Sequence, residues 1–304
     1  MQAKKAIPHL LILLTLSGIT LLAYWNSFQV PLVFDDQHVI EKNEAIRDVD
    51  NFLTLDALTR QRPLTDLTFA LNYAWHGLDV FGYHVVNFGI HILSVCVAYF
   101  LALAVFTRLN VGPSGPAGQR TLLLMAAITA AVFALHPVQT QAVTYIAQRY
   151  TSMAALFYMA SVLLYILGRQ QMIKGYGKDG EKIKEKGPWV WPLTLLIFGF
   201  SFTLALAAFA SKQNALSLPL AILLVEYMLF DRTWAGWKKK LLYFLPVLAL
   251  FLGFALYSAG VLQGDISLAT VLEETDRRTR ETFQVTRWQY LLTQFKVICI
   301  YLGL

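Results

Sequence analysis

Eight apolar stretches, each close to the length a helix needs to cross a bilayer, recur along the chain near residues 7–25, 83–106, 121–136, 150–168, 189–210, 214–230, 241–259 and 289–304. About 30 Å of hydrocarbon takes roughly 17 to 25 apolar residues of helix. In lipid every backbone N–H and C=O has to find its partner inside the protein, which leaves helices as the form open to such segments. The chain is therefore expected to be an all-α integral membrane protein, a bundle of about eight transmembrane helices. Composition agrees, because only 14% of residues are charged, whereas soluble domains carry about 25%.

Met1 to Lys5 is a basic start followed by an apolar run, which raises the question of a secretory signal. The residues before Asn26 are Ala23, Tyr24 and Trp25, which is no small-x-small cleavage site, so an uncleaved anchor is expected. Cys96 and Cys299 both fall in apolar spans and form no disulfide framework. With the N-terminus in the cytoplasm, fourteen Lys and Arg residues lie inside and ten outside, and Lys296 falls within the last span. That bias follows the retention of positive charge on the cytoplasmic side. Five of the nineteen acids lie inside and fourteen outside, so the net charge of +6 reflects topology and not a nucleic-acid partner.

The cytoplasmic connections read as linkers: a Gly/Pro turn at 107–120 and a Lys-rich run at 169–188. Two outer loops are longer. Residues 26–82 mix acids with an amphipathic piece in which Leu64, Leu67, Leu71 and Trp75 recur at helical spacing, the pattern of a helix lying in the membrane interface. Residues 260–288 carry Glu273, Glu274, Asp276, Arg277, Arg278, Arg280 and Glu281, polar enough to serve as a lid.

Chemistry-bearing residues gather toward the outer ends of the spans. Asp35 and Asp36 are adjacent carboxylates just after the first span, and charges there have to sit at the membrane surface or in a water-filled cavity. The bland reading of the pair is helix capping, or a salt bridge with Arg47 or Arg62. His84, Asn87 and His91 share one face of the second span and must point into protein or water. His136-Pro137 closes the third span, Arg149 opens the fourth, and Lys212 lies between the fifth and sixth. Two cations and two carboxylates are thus expected at one face, and an anionic phosphate needs such cations.

In order along the chain stand Phe34-Asp35-Asp36 with Asn43, Arg62-Pro63-Leu64 followed by Leu71-Asn72-Tyr73, Gly82-Tyr83-His84 with Asn87 and His91, His136-Pro137-Val138-Gln139-Thr140-Gln141-Ala142-Val143 leading to Arg149, and Ser211-Lys212-Gln213-Asn214. These motifs resemble the transmembrane and tetratricopeptide-repeat (TMTC-type) O-mannosyltransferases and their bacterial relatives, within the GT-C glycosyltransferase superfamily. The resemblance implies one GT-C-like transmembrane domain over residues 1–304, with acidic residues and amphipathic helices in the first outer loop. It implies a sugar donor on a polyprenyl phosphate, a hydroxyl acceptor such as protein Ser or Thr, and transfer on the non-cytoplasmic face. Compact loops and a chain end without a retention signal favour a bacterial inner membrane over the endoplasmic reticulum.

Three departures qualify it. No tetratricopeptide period of about 34 residues is visible. The chain stops at Leu304 within an apolar run, as a truncated product would. Lys212-Gln213 stands where relatives often have Lys-Glu. On this reading Asp35 or Asp36 is the general base and the other orients the acceptor. Arg149 and Lys212 bind the donor phosphate, supported by His84, Asn87, His91, His136 and Arg62. No cofactor or metal is entered, although two carboxylates would suit part of a divalent-ion site. The competing readings are a carrier or flippase for lipid-linked sugars and a structural membrane subunit.

Overall fold

The computed structural model describes residues 2–54, 57, 62–113, 115–174, 190–231, 234–258, 261, 267, 269–270 and 287–303. Among the described residues the regular elements are all helical, as the apolar pattern requires. They are α1 (Gln2–Tyr24), α2 (Pro63–His76), α3 (Val80–Arg108), α4 (Pro116–Leu135), α5 (Gln139–Thr144), α6 (Arg149–Lys174), α7 (Val190–Ser211), α8 (Leu218–Val225), α9 (Trp234–Ser258) and α10 (Arg287–Leu302). Among the described residues six helical segments are long and apolar enough to cross a membrane: Ile7–Ser27, Val80–Arg108, Pro116–Leu135, Ile146–Ile173, Val190–Ser211 and Gln213–Phe230. The two expected last spans correspond to α9 and α10, whose apolar runs are the shorter Leu248–Tyr257 and Leu291–Tyr301. The protein is a multi-pass membrane protein.

Most of the second long outer loop, and the Lys-rich run from residue 175 to 189, lie outside the described residues. The Gly/Pro connection between α3 and α4 is a turn, with Gly112 (φ +98°) and Gly115 (φ +86°) in the conformations that glycine adopts most easily.

Small residues bring the helices together where lipid offers no hydrophobic drive to do so. Ala126, Ala130 and Ala134 recur every fourth residue on α4 and pack with Leu16 of α1 and Val95, Tyr99 and Ala102 of α3. The α6–α7 pair is joined by a reciprocal bond: the Ser161 hydroxyl donates to the Ser201 carbonyl at 2.8 Å, and Ser201 returns the donation to the Ser161 carbonyl at 2.8 Å. Seven residues on, a Cβ on Gly168 would stand 2.8 Å from the Phe198 ring, so glycine permits this approach.

The long connection between α1 and α2 has its own core. Ile40, Ile46 and Phe52 of the loop bury against Phe69 and Ala70 of α2, Tyr83 of α3, and Ile146 and Tyr150 at the start of α6. Proline at the first position starts α2, where its missing N–H removes no helical bond. Phe69, Ala70 and Asn72 are turned inward, while Leu71 is 41% exposed and Trp75 78% exposed. The expected amphipathic helix is thus present, with a tryptophan and a leucine on its exposed side.

Candidate active site

The acidic pair is divided by the backbone. Phe34 has φ +48°, a left-handed conformation that strains a bulky residue and reverses the chain just ahead of Asp35. After the reversal Asp36 points inward and is buried, while Asp35 stays exposed. The Val33 N–H donates to Asp36 Oδ2 at 3.1 Å and the Ala147 N–H to Asp36 Oδ1 at 2.7 Å, so each carboxylate oxygen holds a backbone group. Burial pushes the Asp36 pKa above the ordinary carboxylate value, and the two N–H donors oppose that shift. The N–H of Asp35 donates to the Tyr145 hydroxyl at 2.9 Å, and the Phe34 and Tyr145 rings meet edge to face at 6.2 Å. The loop is thereby pinned to the α5–α6 junction at Tyr145 and Ala147. No bond to Arg47 or Arg62 holds the pair: Arg47 donates to the Ile40 and Glu41 carbonyls, and Arg62 lies over the Tyr150 ring at 4.6 Å.

Arg149 differs from its expected role. It is completely buried, and its guanidinium is filled by protein acceptors: Nε donates to Asn87 Oδ1 at 2.6 Å, and Nη2 to Asn72 Oδ1 at 2.9 Å and the Tyr83 carbonyl at 3.0 Å. Nη1 reaches the Thr68 carbonyl at 3.4 Å, and the Phe69 ring lies 4.4 Å from the guanidinium carbon. A planar fork with five donors is the side chain suited to tie three helices at one point. In this arrangement it presents no face to a phosphate, and it acts as the buttress that joins α2, α3 and α6.

The polar face of α3 serves the same construction. Asn87 accepts from Arg149 and donates to the Ile146 carbonyl at 3.2 Å. His84 Nε2 stands 2.9 Å from the Val30 carbonyl, fixing the start of the acidic loop, and His91 Nε2 stands 3.1 Å from the Ala134 carbonyl on α4. The His91 ring stacks on Phe133 at 5.8 Å. All three side chains are buried, and the expectation that they point into protein holds. His136 caps α4, its Nδ1 accepting the Val138 N–H at 3.2 Å. Nothing beyond that cap ties it to the acidic pair.

The two remaining cations sit on the other side of the α6 start. Lys212 Nζ donates to the Thr151 hydroxyl at 2.8 Å, which itself donates to Gln148 at 2.7 Å. Burial, then the nearby Arg62 charge, lowers the Lys212 pKa. Arg62 is half-buried and its Nε has no acceptor. Two neighbouring cations, one with an unfilled donor, concentrate positive charge of the kind an anion needs. Among the described residues no three His, Cys, Asp or Glu side chains cluster to hold a metal ion.

No sequence signal marks Tyr145, Asn72 or Thr68 as partners of the acidic loop or of Arg149. Asn72 stood inside a motif already singled out, and Tyr145 precedes Arg149 by four residues, but no spacing rule joins either to its partner.

Comparison with known proteins gives a consistent relationship. The chain is 30% identical over 230 residues to Protein O-mannosyl-transferase Tmtc3 of Drosophila melanogaster, covering 69% of this chain and 23% of that protein. It is 29% identical over 182 residues to Protein O-mannosyl-transferase F38B6.6 of Caenorhabditis elegans, 55% of this chain and 24% of the relative. Human Protein O-mannosyl-transferase TMTC3 is 28% identical over 162 residues, 49% and 16% of the two chains. The chain is a relative of the TMTC proteins. It spans less than a quarter of the length of these three. No family model matches it, and no solved structure does.

Proposed function

We propose that the protein is a membrane glycosyltransferase of GT-C type that moves mannose or another hexose from a polyprenyl phosphate to a hydroxyl acceptor, with protein Ser or Thr as the acceptor class. The relatives' names carry O-mannosyl transfer to protein. The observation that carries the reading is the separation of roles around the start of α6, with an exposed Asp35 beside Tyr145 on one side and Arg62 and Lys212 on the other.

Asp35 is the general base. It takes the proton from the acceptor hydroxyl as that oxygen bonds to the anomeric carbon and the bond from that carbon to the phosphate oxygen breaks. Positioned proton transfer of this kind contributes about 10²- to 10⁴-fold. The lipid phosphate leaves with the electron pair, and Arg62 and Lys212 stabilise its charge in a site partly screened from water. Asp36, Asn87 and Arg149 hold the loop, α3 and α6 in place for this chemistry, and the prenyl chain lies along the helices. The distribution of Lys and Arg supports a non-cytoplasmic active face.

The test is transfer from a panel of radiolabelled polyprenyl-phosphate sugars in membranes holding wild type, Asp35→Asn, Asp36→Asn and Lys212→Ala at matched levels. Wild-type transfer is expected from one donor, abolished in Asp35→Asn with donor still bound, and weakened through donor affinity in Lys212→Ala. Full transfer by Asp35→Asn refutes the base assignment. Donor that moves between leaflets without forming product identifies a carrier instead.

A further inference from the structure

We propose that Phe34 is the platform on which the donor hexose stacks, its ring lying against the C–H face of the sugar while Asp35, the next residue, serves the acceptor hydroxyl. The inference rests on the glycosyltransferase reading and adds a sugar subsite to it.

Phe34 is kept where a bulky residue fits badly. Val33 to Asp36 is a tight turn, closed by the Asp36 N–H donating to the Val33 carbonyl at 3.0 Å and by the Val33 N–H donating to Asp36 Oδ2 at 3.1 Å. Its first inner position, at φ +48°, is one that Gly, Asn or Asp takes readily and a large side chain does not. The ring gains little from the protein core in return, since Phe34 is 83% exposed. Backbone strain under a side chain that buries so little marks a task outside the fold.

The ring is also tied to the base. The Asp35 N–H donates to the Tyr145 hydroxyl at 2.9 Å, and the ring of the same tyrosine meets Phe34 edge to face with centres 6.2 Å apart. One residue at the α5–α6 junction therefore fixes both the exposed ring and the exposed carboxylate. A reacting hexose has little room to avoid that ring. The acceptor oxygen comes within about 3 Å of the carboxylate for proton transfer and about 3.5 Å of the anomeric carbon for attack. The anomeric carbon is then no more than about 7 Å from the Asp35 carboxylate, within reach of the side chain one residue before it. One face of a pyranose presents C–H hydrogens that are slightly positive, and the face of an aromatic ring is negative. Such a contact recognises a sugar ring and leaves its hydroxyls to hydrogen bonds elsewhere.

The experiment is equilibrium binding of three probes to the purified full chain in detergent: polyprenyl monophosphate, polyprenyl-phosphate mannose and polyprenyl-phosphate glucose. Taking the ratio of sugar-bearing to bare carrier affinity within each variant, and comparing variants, removes what the prenyl chain and phosphate contribute. For the hexose that wild type binds better, this ratio is expected to fall about fivefold in Phe34→Leu and Phe34→Asn, the worth of one aromatic contact, and to be kept in Phe34→Tyr. Phe34→Asn suits the turn and is expected to unfold no earlier than wild type in thermal scans, which separates a lost sugar contact from a damaged fold. Phe34→Leu decides the matter should Phe34→Asn not fold. A ratio unchanged in Phe34→Leu overturns the proposal, and if wild type still transfers sugar the enzyme reading stands without the subsite. Equal weakening of bare and sugar-bearing carrier gives the ring to the lipid, and a rise confined to the acceptor KM in transfer assays gives it to the acceptor; either overturns the proposal. A ratio lost in Phe34→Leu by a protein that never transfers sugar upholds the subsite and refutes the glycosyltransferase.

Discussion

Replacement of Arg149 distinguishes a buttress from a phosphate ligand. Three of its hydrogen bonds are 3.0 Å or shorter, to Asn87, Asn72 and the Tyr83 carbonyl, and the side chain is fully buried. Asn72 has no other anchor to fall back on through its amide nitrogen, since Nδ2 is buried without an acceptor. Bonds to a charged group contribute roughly 1.5–3 kcal/mol each, and taking one member out of a buried charged network costs about 3–5 kcal/mol as a whole. Arg149→Ala is expected to lose about 4 kcal/mol, near a thousandfold in the folded-to-unfolded ratio at about 1.4 kcal/mol per decade. Arg149→Lys keeps the charge but supplies one nitrogen where three are used, and is expected to recover less than half of that loss. Unfolding of each variant by titration with sodium dodecyl sulfate, followed through tryptophan fluorescence, gives the stability. Donor binding is then measured where each remains folded. An Arg149→Ala protein as stable as wild type but unable to bind donor would refute the argument and return Arg149 to the phosphate.

The raised Asp36 pKa means that the folded state holds this proton more tightly than the unfolded chain. Its contribution is therefore complete below the ordinary carboxylate range and is lost as pH rises through the folded-state pKa. Asp36→Asn is expected to flatten that slope in unfolding midpoints taken from about pH 4 to 7, at a cost of about 1–3 kcal/mol for the N–H group it no longer satisfies. For Lys212 the depressed pKa predicts that donor affinity, which needs the protonated amine, falls at a lower pH than an ordinary lysine would allow. Donor titrations over the alkaline range are expected to show that fall in wild type and not in Lys212→Arg. Tyr145→Phe removes the acceptor of the Asp35 N–H and is expected to slow transfer about fivefold, for about 1 kcal/mol, with donor binding unchanged in equilibrium measurements.

The first six spans, the amphipathic helix α2 and the inward-facing polar stripe on α3 are legible in the sequence, because each depends on a periodicity that the neighbours of a residue along the chain reveal. Lys212 and the His136-Pro137 helix end were legible for the same reason. The division of labour between Asp35 and Asp36 was not. The two are adjacent and chemically identical, and the left-handed turn at Phe34, a residue that ordinarily avoids it, decides which one is buried. Arg149 misled because sequence shows a cation near a helix start but not the acceptors around it. Those acceptors arrive from Thr68 and Asn72 on α2 and from Tyr83 and Asn87 on α3, between 62 and 81 residues away along the chain. Arg62, by contrast, was given a supporting part and proves to carry an unfilled donor.

Both deeply placed charges of the outer half, Asp36 and Arg149, are solvated by neutral dipoles: backbone N–H groups for one, amide and carbonyl oxygens for the other. Neither of these two charges is therefore held by an ionic contact with another side chain. The field above the site is left to the rim, where Asp35 meets Tyr145 and Lys212 meets Thr151, six residues further along the chain. A molecule with an anion at one end and a neutral sugar at the other enters such a field in one orientation only, so polarity at the entrance does the sorting that contacts deeper in would otherwise have to do.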